Sequence, residues 1–238
     1  STKKKRFFNE QRFAETKTEG ARRLFCIGGS TTYGRPFDDS TSFCGWIRGF
    51  LAQVDPEREW EVVNAGGISY ASYRAAAVMK EIAEYEPDVF VIYSGHNEFL
   101  EKRTWSQVLS LPEWLREADA LLRRTRSYTL VGQVAKRLQA GDQIPGEVDA
   151  LLDNTVGLDA YERDPELTAR VLEEYQLNLQ SMIRTARLAG AEPILVVPAS
   201  NTKDCSPFKS EFDPALEATL RKRWRAHFER GRKAILSE

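Results

Sequence analysis

Histidine and cysteine are scarce in this sequence, and their positions exclude several kinds of site. The 238 residues include two histidines, His96 and His227, and three cysteines. They are not grouped at the spacing of metal ligands, so we predict no metal and no cofactor. No apolar run approaches the roughly 20 residues that span a bilayer, and no signal-peptide core precedes the first predicted strand. The formal net charge of -1 lacks the basic excess typical of nucleic-acid binding, which we therefore do not expect.

The composition is typical of one globular domain with a sizeable core and a highly charged surface. Hydrophobic residues make up 42% of the chain and charged residues 29%. We predict an N-terminal extension over residues 1–20, a main domain over 21–213 and a C-terminal helix over 214–238. Basic clusters at 3–6 and 221–223 are typical of solvated faces, with contact to a membrane or an acidic partner as the alternative.

Apolar runs at 24–27, 60–63, 89–93 and 194–197 predict four short strands. Apolar residues at helical spacing follow each of the first two strands and precede the fourth. Because connections between parallel strands are right-handed, this order predicts an α/β fold: a three-layer α/β/α, doubly wound parallel sheet of the flavodoxin-like kind. Residues 99–165 are too long for a plain loop. They predict a helical insertion that forms either a lid or binding wall at the carboxyl edge of the sheet, or an accessory helical layer.

Small and polar residues directly follow three of the predicted strands. Residues 28–34, which include Ser30, follow the first strand, residues 64–70 follow the second, and residues 94–98 follow the third. Reacting groups in an open parallel sheet collect outside the carboxyl ends of the strands, and glycines there let the backbone approach a ligand closely. We therefore expect the three segments to converge.

These segments resemble blocks I, II and III of the SGNH, or GDSL-type, hydrolases, in the family's order and at similar spacing. Block I corresponds to residues 28–30 (Gly-Gly-Ser), block II to the turn from Asn64, and block III to residues 95–98 (Gly-His-Asn-Glu). Two residues depart from the family pattern: Gly29 replaces the aspartate of block I, and Glu98 replaces the last aspartate of block III. The resemblance implies the SGNH hydrolase version of the predicted fold.

The resemblance also implies a role for each matching residue. Ser30 would be the nucleophile, and the side-chain amide of Asn97 would donate to the oxyanion of a tetrahedral intermediate. The backbone N–H groups of Ser30 and Ser69 would join it, with Gly67 as the alternative to Ser69. One such donor is worth about 3 kcal/mol. The positions predicted to contact the substrate are Gly29, Gly67, Glu98 and Asn201.

The block that supplies the family's general base, Asp-x-x-His near the C-terminus, has no counterpart in this sequence. His96 adjoins Asn97 and should point away from it if the backbone is extended, and His227 lies on a predicted solvated helix. A serine hydroxyl is a poor nucleophile without a base. The last residues resemble the first helix of a tetratricopeptide repeat, which some members of the family carry before this block. We therefore expect the base beyond Glu238.

The three cysteines leave one pairing open. Cys26 lies in the first predicted strand, where a small buried hydrophobic side chain is the simplest interpretation. Cys44 and Cys205 both follow strands on the expected active-site side, so a disulfide between them is geometrically conceivable. Pairing cannot be deduced from sequence alone.

Two classes of function fit this sequence. The first is a serine esterase that acts on carboxylic esters such as carbohydrate O-acetyl groups, or an O-acyltransferase that uses the same Ser30. The second is a non-catalytic binding or scaffold module that keeps the fold without the base. Family analogy also suggests an extracytoplasmic or membrane-anchored location, a membrane tether upstream of Ser1, and a protein partner for a C-terminal helical repeat.

Overall fold

The computed structural model describes residues 7–100, 164–201, 212–213 and 215–236. The strands are β1 (Arg22–Gly28), β2 (Trp60–Gly66), β3 (Val89–Tyr93) and β4 (Glu192–Leu195). The helices are α1 (Ser30–Tyr33), α2 (Phe43–Val54), α3 (Ser72–Ile82), α4 (Pro165–Leu188) and α5 (Ala218–Leu236). Most of the predicted insertion at 99–165 lies outside the described residues, and so does Cys205.

The four strands form one parallel sheet in the order β2-β1-β3-β4. This confirms the prediction of a doubly wound α/β fold, because the order is that of the first four strands of flavodoxin-like sheets. From β1 the chain adds β2 on one side, and it then crosses to the other side to add β3 and β4. The direction of winding therefore reverses between β1 and β3. Sheets of this kind bind ligands outside the carboxyl ends of the strands at that point.

Helices cover both faces of the sheet. On one face, Phe25 belongs to a buried cluster with Met79 of α3 and Met182 of α4. On the other face, Leu24 belongs to a second cluster, which includes Cys44 of α2. Successive side chains of a strand point to opposite faces, so β1 is buried on both sides, and residues 24–27 within it form a continuous apolar run. The result is the predicted three-layer arrangement.

The structure pairs Cys26 with Cys44, whose Cα atoms lie 6.4 Å apart, within the range of a disulfide. The alternative in which Cys44 pairs with Cys205 is therefore wrong, and Cys26 is more than a small buried hydrophobic residue. The physical reason is the packing of α2 over β1, which places Cys26 and Cys44 in the same buried cluster.

The segment before β1 packs along the sheet. The ring of Phe13 meets that of Phe25 edge-on, with centroids 5.6 Å apart. The fully buried Arg23 donates from its guanidinium to the carbonyl oxygen of Ala14 at 2.9 Å, and its charge is balanced by Glu61. An arginine inside β1 therefore ties the predicted N-terminal extension to the sheet.

Further upstream, the same segment bonds to β2 and to the turn that follows it. The side-chain amide of Gln11 donates to the carbonyl oxygen of Asn64 at 2.7 Å and accepts from its N–H at 3.0 Å. The carbonyl oxygen of Phe7 accepts from the N–H of Ile68 at 2.9 Å. The N-terminal segment therefore follows β2 to the end that carries block II.

The carboxylate of Asp88, just before β3, is bound by three donors. They are Lys17 Nζ at 2.6 Å, Arg22 Nη1 at 2.9 Å and the backbone N–H of Arg23 at 2.7 Å. Burial by itself raises the pKa of Asp88, but the hydrogen bonds outweigh burial and lower the pKa below its ordinary value. The charged carboxylate of Asp88 therefore links Lys17 and the first two residues of β1 to the start of β3.

Asp88→Asn is expected to lower the free energy of unfolding at neutral pH, and its effect should shrink as the solution is acidified. Because the folded-state pKa is depressed, the stabilisation is complete above the unfolded pKa of about 3.9 and is lost as the pH falls through the folded pKa. Urea unfolding of both proteins at a series of pH values measures the difference, with the exposed Glu57→Gln as the control. A difference that stays constant from about pH 7 to about pH 2 contradicts this account.

The described residues from 201 onward belong to a second compact unit, in which the predicted C-terminal helix is α5. Trp224 stacks on Phe228 with centroids 5.2 Å apart and meets Phe212 edge-on at 5.1 Å. Among the described helices, none is long and apolar enough to cross a membrane.

Candidate active site

The register of the sheet brings the ends of three strands together. Gly28, the last residue of β1, lies opposite Gly66 at the end of β2 and Tyr93 at the end of β3. The N–H of Gly67 donates to the carbonyl oxygen of Gly28 at 2.9 Å, which continues the pairing beyond β2. The three segments predicted to converge therefore do so, at the carboxyl edge where the winding reverses.

Ser30 is the first residue of α1, directly after β1. It is half-buried, and its carbonyl oxygen accepts from the N–H groups of Gly34 and Arg35 at 3.0 and 3.1 Å. Within the described residues, neither the hydroxyl nor the backbone N–H of Ser30 has a hydrogen-bond partner. The hydroxyl is therefore available for reaction, and the N–H is available to bind an oxyanion.

Asn97 lies against the residue that precedes Ser30. The Asn97 side chain is nearly buried, with 8% exposed, and its Nδ2 donates to the carbonyl oxygen of Tyr70 at 2.9 Å. A Cβ on residue 29 would collide with the same Nδ2, so a larger residue there would displace the Asn97 amide. An amide nitrogen has two hydrogens, so Nδ2 keeps one for a further acceptor beside Ser30.

The turn after β2 provides one more N–H group. Ser69 has a φ of 60°, a left-handed conformation that is uncommon for a residue with a side chain and is often found at functional sites. The turn closes through a bond from the N–H of Tyr70 to the carbonyl oxygen of Gly67 at 3.2 Å. The N–H of Ser69 has no acceptor among the described residues, whereas that of Gly67 is bonded to Gly28. Of the two predicted donors, Ser69 is therefore the one with an available N–H.

Glu98, predicted to contact the substrate, is instead enclosed by protein. It is 4% exposed, and its carboxylate oxygens accept from the N–H of Ser72 at 2.8 Å and from the Ser72 hydroxyl at 2.7 Å. Ser72 is the first residue of α3, and the residue before it, Ala71, provides no side-chain cap. The carboxylate of Glu98 therefore caps α3 from a different loop, where the helix dipole favours negative charge.

Helix α4 also contacts the loop after β3, which carries Asn97 and Glu98. Tyr175 Oη donates to the carbonyl oxygen of Ser94 at 2.8 Å, and Gly95, with a φ of 136°, leaves room for the phenol. Burial raises the pKa of Tyr175, and the charge of Glu98 raises it further. The phenol therefore keeps its proton, and its role as donor, at neutral pH.

Sequence reasoning assigned no role to the side chain of Asn64, which joins α1 to β2. It is 2% exposed. Its Nδ2 donates to the carbonyl oxygen of Thr32 at 2.8 Å and to Asp39 Oδ1 at 2.7 Å, and its Oδ1 accepts from the N–H of Gly66 at 3.0 Å. An amide directly after two valines in a predicted strand is the available signal, because a buried polar side chain must find partners.

The two histidines have other contacts. His96 is exposed, and its ring meets the ring of Tyr93 edge-on at 5.1 Å. His227 is exposed on α5, where its Nδ1 lies 2.9 Å from a guanidinium nitrogen of Arg230. The predicted contact residue Asn201 is exposed and belongs to the second unit. Over the described ranges, no group of three or more acidic, histidine or cysteine side chains could hold a metal ion.

Comparisons with known proteins give structural likenesses only. No protein-family model matches the chain, and no curated protein matches it. The crystal structure of TesA is 20% identical with a TM-score of 0.37, and the match covers 73% of this chain and 59% of that chain. AlinE4, described as an SGNH-hydrolase family esterase, is 14% identical with a TM-score of 0.33, and the match covers 92% of this chain and 98% of that chain. The chain thus spans less than two thirds of TesA.

Proposed function

We propose that the protein is a serine hydrolase that acts on carboxylic esters through an acyl-enzyme on Ser30. The observation that carries this proposal is the position of the Asn97 amide against Gly29, the residue before Ser30. In this proposal the Ser30 hydroxyl, the Asn97 amide and the backbone N–H of Ser69 act together outside the carboxyl ends of the strands, where parallel sheets bind their ligands. Donors fixed in advance around developing negative charge are commonly the largest single contribution to catalysis.

In the proposed reaction, a general base takes the proton of Ser30 Oγ as this oxygen attacks the carbonyl carbon of the ester. The carbonyl oxygen becomes an oxyanion, which accepts from the N–H groups of Ser30 and Ser69 and from Asn97 Nδ2. Collapse of the intermediate breaks the bond to the alcohol, which leaves with the proton from the base. Water then attacks the acyl-enzyme in the same way and releases the acid.

We propose carbohydrate O-acetyl groups as the substrate class, in keeping with the family that the three blocks resemble. The acyl acceptor decides the net reaction. Water gives hydrolysis, whereas a sugar hydroxyl in its place gives O-acyl transfer from the same acyl-enzyme. Both reactions use the same three donors and the same Ser30.

We propose that the general base is a histidine beyond Glu238. In the part of the chain that the structure describes, the hydroxyl of Ser30 has no hydrogen-bond partner, and His96 is exposed beside Tyr93. Serine catalysis needs a base within hydrogen-bond reach of the hydroxyl. The same observation favours the second candidate function, a non-catalytic binding or scaffold module that retains the donors and lacks the base.

A fluorophosphonate probe distinguishes the two candidates, because it reacts with a serine that is activated by a base and an oxyanion hole. In the full-length natural protein we expect one adduct, on the peptide that carries Ser30, and no adduct in Ser30→Ala. Thr31→Ala removes the next hydroxyl of α1 and should label like the wild type. A folded full-length protein that takes no label would favour the binding module. Fast labelling of the 238-residue chain alone would contradict the proposed position of the base.

A further inference from the structure

We infer that Glu98 is a positioning residue, which holds the oxyanion donors in place through Ser72 and does not itself contact substrate. The inference rests on the proposed function, since it assigns a role within the same site. It is carried by the bonds of two consecutive residues, Asn97 and Glu98, to Tyr70 in the segment between β2 and α3 and to Ser72, the first residue of α3.

These three hydrogen bonds form a clamp between the loops of blocks II and III. Asn97 donates to the carbonyl oxygen of Tyr70 at 2.9 Å, and Glu98 accepts from the N–H and hydroxyl of Ser72 at 2.8 and 2.7 Å. Tyr70 immediately follows Ser69. A displacement of Ser72 would therefore move the carbonyl oxygen that orients Asn97 and the adjacent N–H of Ser69 together.

The clamp is buried, and a side chain of α4 also binds to it. Ser72 is fully buried, and Asn178 of α4, 7% exposed, donates to the Ser72 hydroxyl at 3.1 Å. The hydroxyl thus accepts from Asn178 and donates to Glu98, so its proton is directed at the carboxylate. Hydrogen bonds to a charged acceptor are about twice as strong as neutral ones. Replacing the carboxylate by an amide would give Ser72 a poorer acceptor and one competing donor.

The expected consequence is a loss in kcat with little change in KM. The oxyanion exists in the transition state and not in the bound ester, so misplaced donors lower kcat, whereas a lost substrate contact mainly raises KM. Small displacements of reacting groups can cost about a hundredfold in rate. A residue that only bound substrate would show the opposite division between kcat and KM.

The test compares Glu98→Gln, Ser72→Ala and the double variant in the full-length protein, with an acetyl ester as substrate. We expect each single variant to lower kcat about tenfold or more with KM within about threefold. The double variant should lose no more than about threefold in kcat beyond the slower single variant, because both changes disrupt the same hydrogen bond, between the Ser72 hydroxyl and the Glu98 carboxylate. Ser42→Ala removes a buried hydroxyl at the start of α2. It should lower Tm and spare kcat.

Four outcomes would overturn the inference. They are a kcat within twofold of wild type in both folded variants, a rise in KM alone, losses in the double variant that multiply, and a wild type without Ser30-dependent turnover. The last would also overturn the proposed function, whereas the first three leave it standing. If Glu98→Gln does not fold, Ser72→Ala decides alone, because alanine is tolerated at the start of a helix.

Discussion

Ser30→Ala is expected to abolish ester turnover by the full-length protein and to leave it folded. The Ser30 hydroxyl is half-buried and makes no hydrogen bond within the described residues, so its removal should cost little stability. Without the nucleophile no acyl-enzyme forms, and the remaining donors can only support a slow direct attack by water. Loss of a nucleophilic serine elsewhere lowers kcat by about a millionfold, so we expect a loss of at least about ten-thousandfold here.

The measurement is kcat/KM for an acetyl ester, together with a thermal unfolding curve for each variant. Thr31→Ala is the matched control, since it removes an exposed hydroxyl from the next position of the same helix. Turnover by Ser30→Ala that equals the wild-type rate, at the same Tm, would exclude Ser30 as the nucleophile. It would leave the binding module as the better account of the geometry of the strand ends.

Asn97→Ala should lower kcat by about a hundredfold or more, the usual effect of removing one oxyanion donor. The change also leaves the carbonyl oxygen of Tyr70 without its bond from Nδ2. An unsatisfied buried acceptor costs about 1–3 kcal/mol of stability, so kinetics must be measured well below the Tm of the variant. At such temperatures both proteins are fully folded, so a lower kcat of the variant reports the lost oxyanion donor and not unfolding.

A second variant sharpens the prediction for Asn97. Asn97→Asp keeps the shape of the side chain but replaces the donor by a negative charge next to the oxyanion, so it should be at least as slow as Asn97→Ala. A rate for Asn97→Ala within twofold of wild type would mean that Asn97 only anchors Tyr70. Its amide would then be a structural link between the loops of blocks II and III.

The strands of the sheet could be predicted because burial on both faces leaves continuous apolar runs, as in β1. The fourth strand begins two residues earlier than predicted, because the sequence predicts 194–197 and β4 is Glu192–Leu195. Its first two residues are a charged residue and Pro193, which argue against a central strand. In the part of the sheet that the structure describes, β4 lies at the edge, where proline and charge are tolerated. The place of a strand in the sheet cannot be predicted from its own residues.

The site could be predicted only where a residue follows a strand. The sequence predicts that Ser30 and Asn97 lie at the same edge of the sheet, because the carboxyl ends of parallel strands meet. The enclosure of Glu98 could not be predicted, because its partner Ser72 is 26 positions away and the contact depends on how two loops pack. The pairing of Cys26 with Cys44 was missed for the same reason, since it needs the orientation of α2 on the sheet.

The bonds from Gln11 to Asn64 have a consequence for self-association. Among the described strands, β2 is the outermost on its side of the sheet, and an outer strand with unpaired N–H and C=O groups is a template on which another chain can add a strand. Gln11 occupies both groups of Asn64 with its own amide, and Phe7 accepts from the next turn. The N-terminal segment therefore covers part of the edge on which another chain could add a strand, close to the turn that carries Ser69.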